Sequence, residues 1–125
     1  MQTDEKLLIE PYEDEQGNSP FGDFLLTLPD KDIDFIAKKL INFQEYRISQ
    51  LKNRSDFLDV IEGTDIELFE LKFKRSPQYR AVCIVRGNKI IILEMFKGSG
   101  SNGRVLKYIG KARERADDWD KRFQR

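Results

Sequence analysis

The chain has 125 residues, of which 39% are hydrophobic and 35% charged, and its formal net charge is zero. This length and apolar content predict one domain over residues 1–125 with a single core. No run approaches the ~18 apolar residues of a membrane span. The N-terminus, MQTDEKLLIE, carries acids where a signal peptide has a basic flank. We therefore expect a cytoplasmic protein without a membrane segment.

The chain contains one cysteine, Cys83, and no histidine. These counts exclude a Cys/His catalytic pair and a zinc site that uses histidine. Cys83 lies in the apolar run AVCIV, which predicts a buried thiol. Histidine is the usual general base near neutral pH, so any acid–base chemistry here requires Asp, Glu, Lys, Arg or Tyr.

The two signs of charge are separated along the chain. Residues 1–20 hold six acids and one lysine, whereas residues 71–125 hold fifteen Lys or Arg and five Asp or Glu. A basic C-terminal half predicts an anionic partner, nucleic acid above all, because phosphate neutralisation supplies most non-specific affinity. The alternative is an ordinary solvated surface.

The N-terminal third predicts a strand and a short helix. Residues 6–13, KLLIEPYE, are predicted as a strand at a sheet edge, since Pro11 has no backbone N–H. Ser19 followed by Pro20 predicts a helix start with Ser19 as its N-cap, and Pro29 ends that helix. Its apolar face has helical spacing and comprises Phe21, Phe24, Leu25 and Leu28.

A second helix is predicted from Asp30, as its cap, to about Leu51, forming a hairpin with the first. After it, we expect at most a short helical turn from Ser55, and Gly63 then leads into the sheet. The buried stripe of the second helix comprises Ile33, Ile36, Ala37, Leu40 and Phe43.

Three consecutive strands are predicted at residues 67–74, 79–86 and 89–96. In the first, apolar and polar residues alternate, which is the period of a half-buried strand. Gly87-Asn88 joins the second and third strands, and both residue types tolerate positive φ, which predicts a tight hairpin. The alternating residues of the first strand are Phe69, Leu71 and Phe73 toward the core and Glu70, Lys72 and Lys74 outward.

The run GSGSNG predicts a flexible loop, and the last helix is expected to begin near Arg104. Its core stripe is predicted to comprise Val105, Ile109, Ala112, Ala116, Trp119 and Phe123. Its solvent-facing basic flank is predicted to comprise Arg104, Lys107, Lys111 and Arg115.

These elements predict an α+β fold, with a small, mainly antiparallel sheet and both N-terminal helices and the C-terminal helix packed on one face. The other face is then left for a partner. On it we expect Lys72, Lys74, Arg80, Arg86 and Lys97.

Several segments resemble one toxin superfamily. ELFELK, QYRAV, IIILEMFK and a closing helix with Ala112 and Arg115 resemble the RelE/HigB superfamily, specifically the phage Gp49-like branch of HigB-type toxins. EPYEDEQGNSPFGDFLLTLP is similar to the opening strand, glycine turn and first helix of that branch, so nearly the whole chain is covered. The resemblance implies a RelE-like fold.

The resemblance also implies an activity and its partners. Family toxins of this kind are ribosome-dependent mRNA endoribonucleases of type II toxin–antitoxin pairs. They cleave RNA by attack of the 2′-hydroxyl on the adjacent phosphate, without a metal or any other cofactor. The implied partners are mRNA on the ribosome and a cognate antitoxin, expected to be a helix-turn-helix protein. Neither a membrane nor a small-molecule cofactor is implied.

The site residues follow from the same resemblance. Lys72 stands at the arginine of the branch's ELR motif, Arg80 at the arginine of its YR motif, and Lys97 at the first lysine after a phenylalanine. Arg80 and Lys97 are expected to stabilise phosphate charge, and Lys72 and Lys74 to position the RNA backbone. Glu70 or Tyr79 is expected to assist proton transfer, the alternative for Glu70 being an ion pair with a neighbouring lysine across the sheet. Further RNA-binding residues are expected to be Lys74, Arg75, Arg86, Arg104, Lys107 and Lys111.

The chain differs from the branch at two places. Lys72 replaces an arginine and so lacks the fork that grips a phosphate, and FKGSG stands where the branch has FKKT. These differences favour an alternative, a non-catalytic binding module or inhibitor from a phage or plasmid, directed at a host protein or nucleic acid. A third interpretation is a domain whose basic half is only a solvated surface.

Overall fold

The computed structural model describes residues 5–75, 78–98 and 102–123, except for the side chains of residues 102–107. The described residues form an α+β fold with a five-stranded mixed sheet of order β1-β5-β4-β3-β2. β1 is parallel to β5, and the other neighbours are antiparallel. The elements, in chain order, are β1 (Leu8–Pro11), α1 (Pro20–Leu25), α2 (Asp30–Phe43), α3 (Ile48–Lys52), β2 (Leu58–Ile61), β3 (Leu68–Phe73), β4 (Tyr79–Arg86), β5 (Lys89–Lys97) and α4 (Asn102–Phe123).

Helices cover both faces of the sheet. The front face, which carries Leu71, Ala81 and Ile92, packs against α1, α2 and α3. The back face, which carries Val82 and Leu93, packs against α4 through Ala112, Ala116 and Trp119. The expectation that all helices share one face is therefore wrong. The physical reason is that β4 and β5 are apolar on both faces, so helices must cover both faces of the sheet.

The N-terminal helices begin largely as predicted. Ser19 caps α1, its Oγ accepting from the Gly22 N–H at 3.1 Å, and Pro20 is the first helical residue. Pro29, not Asp30, is the N-cap of α2. α2 also ends earlier than predicted, because the Gln44 side chain donates to the Leu40 carbonyl and accepts from the Ile9 N–H. α3 then forms a separate short helix.

The segment predicted as a helical turn after Ser55 instead contains β2. Leu58 pairs with Leu71 and Ile61 with Leu68, which places β2 at one edge of the sheet. A stretch of four residues is too short to show the alternation of apolar and polar residues from which a strand is predicted. β2 forms because it pairs with β3. β1 forms the opposite edge, which confirms the position predicted from Pro11.

The hairpin at Gly87-Asn88 is confirmed, with Arg86 paired to Lys89. Only Gly87 has positive φ, 62°, which is the pattern of a type II′ turn. A bulge follows at Leu93, because Val82 pairs with Glu94 whereas Cys83 pairs with Ile92. Cys83 is a buried free thiol, as predicted.

The bulge determines which residues of β5 share a face. Beyond it, Phe96 lies opposite Arg80 on the back face, and Lys97 lies opposite Tyr79 in the row of the front face. The expectation that Lys97 shares a face with Arg80 is therefore wrong, since one inserted residue exchanges the faces of all residues after it. Among the helices of the described residues, none is long and apolar enough to cross a membrane.

Candidate nucleic-acid interface

Strand pairing brings the central predicted residues together on the back face. Lys72 lies directly opposite Arg80, and Arg80 lies opposite Phe96. In the next row of the same face, Glu70 lies opposite Val82 and Val82 opposite Glu94. The predicted site thus lies where β3, β4 and β5 run side by side, close to one end of the sheet.

Arg80 is engaged by a carboxylate. Its Nη1 forms an ion pair with Glu70 Oε1, and the two side chains are only 15% and 9% exposed. Arg80 Nε, also buried, has no hydrogen-bond partner. A carboxylate and a phosphate oxygen are interchangeable acceptors for a guanidinium. Glu70 is therefore the acceptor that satisfies Arg80 Nη1 in this structure.

Lys72 is also paired and mostly covered. Its Nζ donates to the Ser55 carbonyl at 3.2 Å and lies 3.6 Å from Asp59 Oδ2. The side chain is 18% exposed, so the aliphatic stem is buried along the sheet and the ammonium reaches its rim. Asp59 lies opposite Glu70 in the strand register, so a row that carries acids runs beside the row of Lys72 and Arg80 on the back face.

Tyr79 does not lie with Arg80. Its side chain is fully buried on the front face, and its hydroxyl donates to Asp32 Oδ2 at 2.5 Å. Burial, and then the bond to Asp32, raises the pKa of Tyr79 to about 12. Arg75 forms an ion pair with Asp32 and lies over the Phe35 ring at 4.5 Å. Tyr79 of β4 and Arg75, two residues after β3, therefore both join this end of the sheet to α2.

Lys74 and Lys97 are exposed at the same end of the sheet. Phe73, Tyr79 and Lys97 form one cross-strand row, and Lys74 directly follows Phe73. The Gly98 N–H donates to the Gln78 carbonyl at 2.8 Å, which extends the pairing by one more position. This end of the sheet therefore presents two accessible ammonium groups beside the Lys72–Arg80 pair.

The remaining predicted RNA-binding residues are dispersed. Arg86 forms a two-bond ion pair with Asp120 of α4, at 2.9 and 2.8 Å, at the opposite end of β4 from Arg80. Lys111 is exposed on α4. The Arg104 and Lys107 side chains lie outside the described residues. Arg86 thus binds α4 to β4 in this structure and does not belong to the cluster around Arg80.

Sequence reasoning missed two acidic side chains around the cluster, Asp59 and Glu94. Glu94 binds Arg115 Nη1 at 2.6 Å, and the same nitrogen donates to the Leu93 carbonyl at 2.9 Å. Arg115 is therefore not part of a solvent-facing flank as predicted; its side chain is 22% exposed and lies against β5. The only signal in the sequence was that the strand with Glu94 also carries cations, whereas the segment with Asp59 carries none.

Within the described part of the chain, no group of three or more His, Cys, Asp or Glu residues is arranged to hold a metal ion. The side chains at the cluster offer anion binding by Arg80 and Lys72 and proton transfer by Glu70. No protein-family model, curated protein or solved structure matches this chain.

Proposed function

We propose that this chain is the toxin of a type II toxin–antitoxin pair with a RelE-like fold, acting in the cytoplasm as a ribosome-dependent mRNA endoribonuclease. The observation that supports this most is the pairing of Lys72 with Arg80 at the end of the sheet where Lys74 and Lys97 are exposed. Neighbouring cations on adjacent strands match a phosphate backbone. A cognate antitoxin, of helix-turn-helix type, would neutralise the toxin.

In the proposed reaction an RNA phosphate replaces Glu70 on Arg80. The released Glu70 carboxylate then accepts the proton of the adjacent 2′-hydroxyl, whose oxygen attacks phosphorus. Arg80 stabilises the charge of the pentacoordinate phosphorane. The bond from phosphorus to the 5′-oxygen breaks, and the Lys72 ammonium donates the proton that the leaving oxygen requires. The products are a cyclic phosphate and a free 5′-hydroxyl.

This exchange explains why the ion pair is compatible with activity. The Glu70 and Arg80 side chains are 9% and 15% exposed, so the acceptor that satisfies Arg80 in the free protein must be an internal one. A bound phosphate offers the same guanidinium a doubly hydrogen-bonded acceptor in place of the contact between Glu70 and Nη1. Binding of the substrate phosphate to Arg80 then also frees Glu70 to act as the general base.

The test is cleavage of mRNA on purified translating ribosomes. We expect the wild-type protein to cleave, and Arg80→Ala to lower the rate by about 10²–10³-fold, the usual effect of removing one donor that stabilises developing charge. Lys121→Ala, on an exposed position of α4, is the matched control. Circular dichroism of each variant verifies folding. Intact mRNA after incubation with the folded wild-type protein would exclude the ribonuclease.

The ion pairing favours a second candidate, a non-catalytic binding module or inhibitor of phage or plasmid origin on the same scaffold. Arg80, Lys72 and Arg115 each have a carboxylate partner, so the back face is nearly neutral as it stands. This candidate predicts a stable complex with a host protein or nucleic acid and no cleavage. Salt-dependent RNA binding by a protein that leaves ribosomal mRNA intact would support it over the toxin.

A further inference from the structure

A cavity of about 310 Å³ lies where the edge strand β1 meets the last turns of α4. Its walls combine two aromatic rings of α4 with three acids of β1 and the segment after it, namely Trp119, Phe123, Glu10, Glu13 and Asp14. The volume is at the lower limit of ligand pockets, so it suits one side chain or a small group. This acidic cavity contains none of the residues of the cluster around Arg80.

Hydrogen bonds hold the two sides of the acidic cavity together. The Tyr12 hydroxyl donates to Asp118 Oδ2 at 2.7 Å, and two nitrogens of Arg122 donate to the same oxygen at 2.6 and 3.0 Å. Arg122 also donates to the Glu13 carbonyl. These bonds fix the acidic segment against the end of α4. Walls that are ordered in advance lower the entropic cost of binding.

The aromatic wall already carries one guanidinium. The ring centroids of Trp119 and Phe123 are 5.2 Å apart with a tilt of 45°, and the Arg122 guanidinium lies 5.0 Å from the Phe123 centroid. Aromatic ring faces attract cations of this kind. Because Phe123 is 59% exposed, part of its ring surface is accessible to a second guanidinium from outside.

Negative charge exceeds positive charge in the acidic cavity. Among the described residues that line it, the one cation is Arg122, and Asp118 already neutralises that guanidinium. Within the same part of the chain, neither Glu13 nor Asp14 forms an ion pair. The backbone and side-chain hydrogen bonds from Asn18 lower the pKa of Asp14, so this carboxylate stays ionised at neutral pH.

The third acid, Glu10, is only loosely paired. It lies 3.9 Å from Lys89, and the two side chains are 41% and 40% exposed. An exposed pair of this kind contributes little and is easily exchanged for another cation.

Aromatic rings beside accessible carboxylates match the side chain of an arginine. Its planar guanidinium stacks on a ring and binds a carboxylate through two hydrogen bonds, which a lysine ammonium cannot do. The same acids repel a phosphate backbone. Residues 1–20 hold six acids and one lysine, so this segment also attracts a basic partner over a longer range. We propose that the acidic cavity binds an arginine side chain from a basic segment of a partner protein.

The test is titration of the protein with a short peptide that carries one arginine between two lysines. The single tryptophan of the chain, Trp119, lines the cavity, so its fluorescence reports binding. We expect Phe123→Leu to weaken binding by about 2- to 30-fold, the range for loss of a cation–π contact. Glu13→Gln should weaken it by about two- to fivefold, as for an exposed ion pair. Glu62→Gln is the matched control, because Glu62 is exposed and follows β2 at the opposite edge of the sheet.

A second peptide, with alanine in place of the arginine, identifies the side chain that enters the cavity. The loss caused by this alanine and the loss caused by Phe123→Leu should not add, because both remove the same contact. Additive losses would overturn the proposal, as would equal binding of the arginine peptide by wild type and by Phe123→Leu that circular dichroism shows to be folded.

Other occupants of the cavity give different outcomes. A peptide in which uncharged norleucines replace all three cations should not bind, and equal binding by that peptide would show an apolar docking site and overturn the proposal. The result is also independent of the ribonuclease. A wild-type protein that binds no basic peptide at low salt would overturn the proposal and leave the ribonuclease standing. Binding that depends on Phe123, by a protein that leaves ribosomal mRNA intact, would support the acidic cavity and exclude the ribonuclease.

Discussion

The two faces of the sheet are both buried, but by different chemistry. The front face is an apolar and aromatic layer beneath α1, α2 and α3. The back face is apolar beneath α4 at Val82, Ile84 and Leu93, but near Arg80 it becomes a set of ion pairs. The cations that suggested an open basic surface are therefore mostly satisfied within the protein. Basic residues in a strand therefore predict a positively charged surface only where no acidic side chain of a neighbouring strand or helix pairs with them.

The largest expected effect on stability comes from replacing a buried leucine on either face of the sheet. Leu71→Ala on the front face and Leu93→Ala on the back face, both 0% exposed, should each cost about 2–5 kcal/mol of unfolding free energy. Leu26→Ala is the control, since Leu26 is 85% exposed and should change stability by less than about 0.5 kcal/mol. Urea unfolding measures all three. A cost for Leu93→Ala as small as that for Leu26→Ala would show that α4 does not cover the back face in solution.

Breaking the ion pair on the back face should have the next largest effect. Glu70→Ala leaves the Arg80 guanidinium, 15% exposed, without its carboxylate and should cost roughly 3 kcal/mol. Replacing both partners, as Glu70→Leu with Arg80→Met, should recover most of that loss, because apolar side chains of similar volume avoid the desolvation penalty. Chemical denaturation of the single and double variants tests this. A double variant less stable than Glu70→Ala would contradict the expectation that apolar replacement of both partners recovers the loss.

The smallest expected effect is a pH dependence on the front face. The Tyr79 hydrogen bond, followed by the charge of Arg75, lowers the pKa of Asp32. A carboxyl with a lowered folded-state pKa adds stability above its unfolded pKa of about 4, and that stability is lost as the pH falls through the folded pKa. Asp32→Asn should therefore lower the melting temperature at neutral pH, and its difference from wild type should shrink as the solution is acidified.

Asp34→Asn is the control for that titration, because Asp34 is exposed on the same helix. Its melting temperature should follow wild type from neutral to acidic pH. Thermal unfolding by circular dichroism at several pH values distinguishes the two variants. A difference in melting temperature between Asp32→Asn and wild type that stays constant at all pH values would show that the negative charge of Asp32 does not contribute to stability.

The elements that could be predicted are those whose determinants are close in the chain. Ser19 and Pro20 start α1, and Gly87 permits the hairpin, because a cap or a turn is decided by a few consecutive residues. Alternation along β3 correctly placed Leu71 and Phe73 in the core. The predicted neighbours Lys72 and Arg80 are confirmed as a cross-strand pair for the same reason, since β3 and β4 follow each other in the chain and pair antiparallel.

The tertiary structure alone decided the remainder. The bulge at Leu93 exchanges the faces of Phe96 and Lys97, and β2 exists only because β3 pairs with it. The placement of α4 on the back face, and the carboxylates that meet Arg80 and Arg115, depend on residues far apart in the chain. The sequence by itself thus determined which residues are charged and which strands carry them. Only packing decided which of those charges face solvent, because burial and ion pairing depend on register and on the helix that covers each face.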